Sequence, residues 1–206
     1  MNKKINISII GTRGYPYVYS GYETFVKQLS ERLVLKDCNV TVYCHKGLFN
    51  KRPKEVKGIK LVYIPTIETK ILSQPIHSFL SIIHACFSNT DVLLVVNSAN
   101  GPFGLLTKLF KVPTAINVDG LEWLRPKWKG LGSIYFKWAS KMATLFYDQI
   151  INDSDEMRKV YLNLFKRDSK VIAYGANIRK SESPDLINKW NLKQRDYYLV
   201  IGRLIP

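Results

Sequence analysis

Seven short apolar runs, each four to six residues long and rich in Val and Ile, recur along the chain: Ile5–Ile10, Val40–Cys44, Ile59–Ile64, Val92–Val96, Thr114–Val118, Gln149–Asn152 and Lys170–Ala173. Runs of that length read as strands, and most of them are separated by stretches with helical periodicity. In the clearest stretch, Tyr22, Phe25, Val26, Leu29, Leu33 and Val34 share one face, while Lys27, Gln28, Glu31 and Arg32 take the other. Further helices are expected over Gln74–Phe87, Phe103–Phe110, Leu131–Tyr147 and Ser154–Phe165. Strands that alternate with helices of this length form a parallel sheet covered on both faces. The expectation is therefore an α/β, Rossmann-like doubly wound domain whose ligands sit outside the carboxyl ends of the strands.

The pattern changes after Ala173. Residues 174–185 are polar and contain Ser-Glu-Ser-Pro, a short helix is expected over Leu186–Trp190, and a fresh apolar run covers Tyr197–Ile201. A buried-type strand at this point has no crossover back to the first sheet. The reading is one domain over 1–173, a linker and short helix over 174–196, and the first strand of a second Rossmann-like domain over 197–206.

Composition narrows the partners. Apolar residues make up 46% of the chain, which excludes wholesale disorder, and the net charge of +15 calls for an anionic partner: nucleic acid, a phospholipid surface or a phosphorylated ligand. The three cysteines, Cys38, Cys44 and Cys86, form no CxxC pair and read as reduced, buried thiols of a cytosolic protein. His45, His77 and His84 lack zinc spacing. The N-terminus lacks the apolar stretch of a signal peptide, and no run reaches the ~18 to 20 apolar residues that span a bilayer, so a soluble or peripheral protein is expected.

The first strand is followed by Gly11-Thr12-Arg13-Gly14, then Ser20-Gly21. Glycines after a first strand let backbone N–H groups approach a phosphate or sugar, and the helix that follows adds its positive end. Ser20 and Glu23 have capping-box spacing, which sets the helix start near Ser20. An ordinary Gly-rich turn with a well-capped helix fits the same residues. A dinucleotide fingerprint fails: Arg13 and Pro16 stand where glycine or alanine is needed, and the second strand ends in Cys44-His45 rather than an acid. No GxxxxGK[ST] loop is present.

The segment IIGTRGYPYVYSGYETFVKQLSERL resembles the opening of bacterial rhamnosyltransferase-type proteins in the retaining glycosyltransferase family 4. Those proteins show GTRGIP, a variable stretch, a paired glycine and FETFV; here the pair is Ser20-Gly21. Three later segments resemble the same family in order: Asn117 to Arg125 with Trp128, then Asp148 to Ser154, then Val171 to Ala176 with Gly202-Arg203-Leu204.

The resemblance implies a GT-B fold, in which two Rossmann-like domains close over a nucleotide sugar without a metal cofactor. Gly11, Arg13, Gly14, Ser20 and Gly21 would then meet the donor, and Arg203 would pair with its diphosphate. Asp119 and Glu122, after a central strand, would contact the acceptor or donor sugar as the catalytic candidates, although Asp119-Gly120 is also a common turn pair. Many relatives carry a His near the Asp119 position that contacts a sugar 6-hydroxyl. Its absence fits a 6-deoxy donor such as dTDP-rhamnose, with UDP-hexoses as the alternative. Transfer with retention to a polyprenyl-diphosphate-linked saccharide is implied, in surface polysaccharide synthesis at the cytoplasmic face of the plasma membrane.

Two basic stretches bear on that location. Lys46, Lys51, Arg52, Lys54, Lys57 and Lys60 form one; Arg125, Lys127, Lys129, Lys137 and Lys141, interleaved with Trp123, Trp128, Tyr135, Phe136 and Trp138, form the other. Aromatic and basic residues together suit an anionic bilayer interface, with Trp123, Arg125, Lys127 and Trp128 as the acceptor or membrane face. A solvated basic surface over core aromatics is the alternative. Single-stranded nucleic acid also binds such mixtures, but no recognition helix, RNP or zinc-finger signature accompanies them, so no nucleic-acid partner is expected. A non-catalytic binding module is the remaining reading.

Overall fold

The computed structural model describes residues 3–200 apart from 18, 19, 68, 70, 71, 177 and 179. The chain divides into two units, Met1–Tyr174 and Gly175–Pro206.

The first unit holds one eight-stranded sheet. Its elements run β1 (Asn6–Ile10), α1 (Gly21–Leu35), β2 (Asn39–His45), β3 (Glu55–Val56), β4 (Ile59–Ile64), α2 (Ser73–Cys86), β5 (Val92–Val96), α3 (Gly104–Leu109), β6 (Thr114–Val118), α4 (Leu131–Phe146), β7 (Gln149–Asn152), α5 (Asp155–Phe165) and β8 (Lys170–Val171). The strand order is β3-β4-β2-β1-β5-β6-β7-β8. Every neighbouring pair is parallel except β3 with β4, a hairpin whose turn is Lys57-Gly58. The doubly wound expectation is met. The two-residue β3 carries too short a pattern to be read from sequence, and β8 ends at Val171, two residues before the expected strand end.

Successive strand residues feed two cores, as the period of two requires. Ile9 packs with Val26, Val42 and Val96 beneath α1, and Phe25, Leu29 and Leu33 of that helix close the layer. Ile10 packs with Ile82, Val95, Ile116, Phe136 and Tyr161 beneath α2, α4 and α5. Both faces of the central strands are therefore buried, which is why those strands read as continuous apolar runs.

The chain leaves β1 toward β2 and β4, then returns through α2 to place β5 on the other side of β1. The winding direction reverses there. The connections after β1 and β5 thus leave toward opposite faces of the sheet, and the crevice between such connections is where open α/β sheets bind ligands.

In the second unit, a short 3-10 segment spans Pro184–Trp190 and ends at Asn191 in the left-handed region. Residues 197–200, expected as a strand, make no ladder; a strand exists only with a partner, and among the described residues none pairs with them. The rest of that expected strand, and Arg203, lie outside the described residues.

Candidate functional site

The β1–α1 loop is built tightly against its neighbours. Gly11 has φ +111°, and a Cβ there would lie 2.3 Å from the Val96 carbonyl oxygen of β5. Gly14 has φ +127°, and its Cβ would lie 2.7 Å from the Cys44 sulfur. Both positions therefore require glycine for packing within this chain, whatever ligand meets the loop. Gly21 differs, because a Cβ there would meet open space. Packing therefore does not require glycine at position 21.

Glu23 organises this loop from the first turn of α1. It is 4% exposed, accepts the Arg13 backbone N–H at 3.2 Å, and accepts the Ser20 hydroxyl on its other oxygen. Ser20 is the N-cap with an extended backbone, as the spacing implies, but its hydroxyl makes no cap bond to a helix N–H. The capping-box expectation is corrected in this respect: the carboxylate ties the loop to the helix. The Arg13 carbonyl accepts from His45 N–H at 3.0 Å, which joins the loop to the end of β2.

Beside it, β5 is followed by Asn97, a non-glycine residue with φ +78°. Its side chain accepts the Ala99 N–H at 2.9 Å and starts the 3-10 turn Ser98–Phe103. Its own N–H donates to the Asn117 carbonyl at 3.0 Å, so the ends of β5 and β6 are locked in register. β7 ends next to Asp153, and the Ser154 hydroxyl accepts the Met157 N–H at 3.4 Å as the cap of α5.

Asp119 follows β6 and gathers two tyrosines. The Tyr22 hydroxyl, from α1, donates to one carboxylate oxygen, and the Tyr174 hydroxyl donates to the other at 3.2 Å and to Asn117 Oδ1 at 2.8 Å. Partial burial pushes the Asp119 carboxyl above the usual range, and the nearby Asp153 adds to the rise; the tyrosines and Arg125 act against it. Burial and then the Asp119 charge raise Tyr22 well above a normal phenol, so both hydroxyls stay protonated donors at neutral pH.

Glu122 lies three residues on but serves another group. It is buried at the start of the 3-10 turn Glu122–Leu124, paired with Arg125 Nε at 2.9 Å and Lys127 Nζ at 3.6 Å, and it accepts the Trp128 indole N–H at 2.8 Å. The residues predicted around it are thereby placed: Arg125 and Lys127 pair inward with Glu122, and Lys127 also lies over the Trp128 ring at 5.1 Å. Trp123 is corrected as a membrane-facing residue, since it is 8% exposed and packs edge-on against Phe165 in the core. Trp128 is half-buried against Phe136, 4.8 Å between ring centroids.

A second depression lies between β1, β2, β4 and the end of α2, lined by Asn6, Ser8, Thr41, Tyr43, His84 and Thr90. Its polar groups mostly satisfy one another: Ser8 with Thr90 at 2.9 Å, Tyr43 with His84 at 3.0 Å, Asn39 with Asn6 at 2.9 Å. It is away from the carboxyl ends of β1 and β5 and offers no convergent reactive set.

A family model described as a domain of unknown function, DUF1972, matches residues 4–177. The chain belongs to the DUF1972 family. No curated protein matches the sequence. Solved structures with a similar fold include glycosyltransferases. Sucrose-phosphate synthase from Thermosynechococcus elongatus aligns at a TM-score of 0.55 and 15% identity over 84% of this chain and 90% of that one. Phytolacca americana UGT2, complexed with UDP-2fluoro-glucose and pterostilbene, aligns at 0.57 and 10% identity over 94% of this chain and 58% of that one. Arabidopsis thaliana UGT89C1, complexed with UDP-L-rhamnose, aligns at 0.50 and 13% identity, covering 92% and 55%. The DUF1972 chain thus spans a little over half the length of these plant enzymes, and it has the GT-B Rossmann-like fold.

Two residues of the DUF1972 site escape sequence reasoning. Glu23 is hidden as a capping-box glutamate, and Tyr174 stands in a segment read as linker although it belongs to the first unit. The tyrosine-before-glycine in Val171 to Ala176 was the available signal. The cysteines are free, as expected, but only Cys44 is fully buried; Cys38, in the turn before β2, and Cys86, at the end of α2, are half-exposed. Among the described residues no group of three or more His, Cys, Asp or Glu could hold a metal ion.

Proposed function

We propose that the DUF1972 chain is the acceptor-side half of a nucleotide-sugar glycosyltransferase. The observation that carries this is the meeting of a glycine loop, a helix N-terminus and a tyrosine-held carboxylate at the crevice where the sheet reverses its winding. That is a sugar-and-phosphate arrangement: backbone donors for anionic oxygens, and an acceptor with hydroxyl partners for a sugar.

In the proposed reaction, a donor held mostly by a second domain meets Gly11, Arg13, Gly14, Ser20 and Gly21 of this loop, and Arg203 forks onto its diphosphate. Fixed positive donors stabilise the charge that grows on the leaving nucleotide diphosphate. The bond from the anomeric carbon to the diphosphate oxygen breaks, the acceptor hydroxyl attacks from the face the leaving group vacates and its proton passes to the departing diphosphate, so configuration is retained. Asp119 accepts a hydrogen bond from a sugar hydroxyl in exchange with one tyrosine, and Glu122 supports it by shaping the turn beneath.

We read the donor as dTDP-rhamnose. Asp119 stands where many proteins of the resembled family carry a histidine for a sugar 6-hydroxyl, and a 6-deoxy sugar has no such group. The acceptor is a polyprenyl-diphosphate-linked saccharide, and the enzyme works peripherally at the cytoplasmic face of the plasma membrane. A UDP-hexose donor is the second reading, favoured by the UDP-2fluoro-glucose bound in the Phytolacca enzyme. The test is turnover by the native gene product with dTDP-rhamnose, UDP-glucose and UDP-N-acetylglucosamine on lipid-linked saccharides. Rhamnose transfer, lowered in rate and shifted toward hexose donors by Asp119→His, is the expected result. Unchanged donor preference and rate in that variant would remove the 6-deoxy reading. No transfer from any donor would leave a non-catalytic binding module.

A further inference from the structure

The layer of α2, α3 and α4 presents an apolar surface to solvent. Along α4, Leu131 (85% exposed), Ile134 (66%), Trp138 (47%) and Leu145 form a single stripe at helical spacing, on the side opposite the buried Ala139 and Ala143. Lys137 and Lys141 flank it, both exposed. The Lys108 ammonium of α3 donates to the Leu145 carbonyl at 3.2 Å, which brings α3 alongside the end of α4. There Leu105, Leu109 and Phe110 are exposed, and the Phe110 ring meets the exposed Phe87 ring at the end of α2, 4.9 Å between centroids. One continuous apolar face therefore crosses three helices.

The charge around it has one sign. Residues 98–147 carry seven Lys or Arg and two acids, Asp119 and Glu122. Both acids are used internally, by tyrosines and by the Arg125–Lys127–Trp128 group. Helix α2 has no charged residue apart from its histidines. Aliphatic side chains with lysines at their margin suit lipid tails below anionic headgroups, with the lysine stems reaching back to the phosphates. A second copy of the same face would set lysine against lysine, which costs association. Among the described residues no helix is long and apolar enough to cross a bilayer, so these helices would lie along its surface.

We infer that the exposed face of α3 and α4, with the end of α2, is a docking surface for an anionic phospholipid bilayer, with Trp138 seated at headgroup depth. This places the membrane face on the outer stripe of α4 rather than on Trp123, which is buried, and Trp128, which is half-buried. It rests on the peripheral location proposed above but not on the donor chemistry.

Flotation of the 206-residue chain with phosphatidylcholine vesicles, with and without phosphatidylglycerol, tests it in the absence of any sugar nucleotide. Binding only to the anionic vesicles is expected, weakened by salt, with a blue-shift of tryptophan emission that Trp138→Phe abolishes. Ile134→Ser with Trp138→Ser, both exposed, should lower partitioning on the order of tenfold or more, as should Lys137→Glu with Lys141→Glu. Charge reversal at Lys51 and Lys54 should leave it little changed. Equal loss from either lysine pair would overturn the inference, since attraction would then be spread over the whole cationic surface. Concentration-dependent self-association removed by the Ile134→Ser and Trp138→Ser change, without vesicle binding, would make this face a subunit contact and overturn it too. Vesicle binding and sugar transfer are read separately, so either can fail alone.

Discussion

Glu23 illustrates how one side chain can hold a functional loop. A carboxylate at 4% exposure needs hydrogen-bond partners, and it has the Arg13 N–H and the Ser20 hydroxyl. Glu23→Ala should leave those donors without their acceptor and lower stability by about 1–3 kcal/mol, measured by urea unfolding. Glu23→Gln should lose less. His77 makes a pH-dependent case. It is fully buried, its ring stacked 3.8 Å from that of His45, and burial followed by the neighbouring His45 lowers its pKa to about 3. The unfolded chain takes up the proton near the ordinary value of about 6.5. Between those values the unfolded state binds more protons, so stability is full above the upper one and falls as pH drops, by roughly 1.4 kcal/mol per unit from this group. His77→Gln should flatten the pH profile of the unfolding midpoint between about pH 6 and 4. An unchanged slope would show that the imidazole is not held neutral.

At the scale of elements, Asp119 joins three parts of the first unit: the end of β6, the first turn of α1 through Tyr22, and the last residue of the unit through Tyr174. Tyr22→Phe and Tyr174→Phe should each cost about 0.5–1.5 kcal/mol. Because they share one carboxylate, the double variant should depart from additivity by about 0.5 kcal/mol or more in a double-mutant cycle. Simple additivity would mean that the tyrosines act independently. The strands were the most legible elements because buried parallel strands need unbroken Val and Ile, as in Val92–Val96. The two-residue β3 was not legible, because two residues carry no period. At the site, the glycine loop and Asp119 could be read from their place after strands. The roles of Glu122 and Trp123 could not, because a turn that folds back on itself has no periodicity to say which side chains point inward. Tyr174 was missed for a similar reason: its partners lie 55 and 57 residues away.

For the whole molecule, the sheet order fixes where chemistry can occur. The reversal between β1 and β5 brings Gly11, Asn97 and Asp119 to one edge, while the other depression, with Asn6, Asn39 and His84, is away from those strand ends. The charge of +15 suits both a diphosphate at that edge and anionic lipid at the α3–α4 face, and the two can be separated because they involve different residues. The most direct test is amide-resolved NMR of the chain titrated with dTDP-rhamnose, UDP-glucose and a rhamnose-containing saccharide. Shifts concentrated at Gly11 to Gly14, Gly21, Asn97, Asp119 and Gly120 are expected. Shifts concentrated at Asn6, Asn39, His84 and Thr90, or none with any of the three at saturating concentration, would contradict a sugar-transfer site at the crevice.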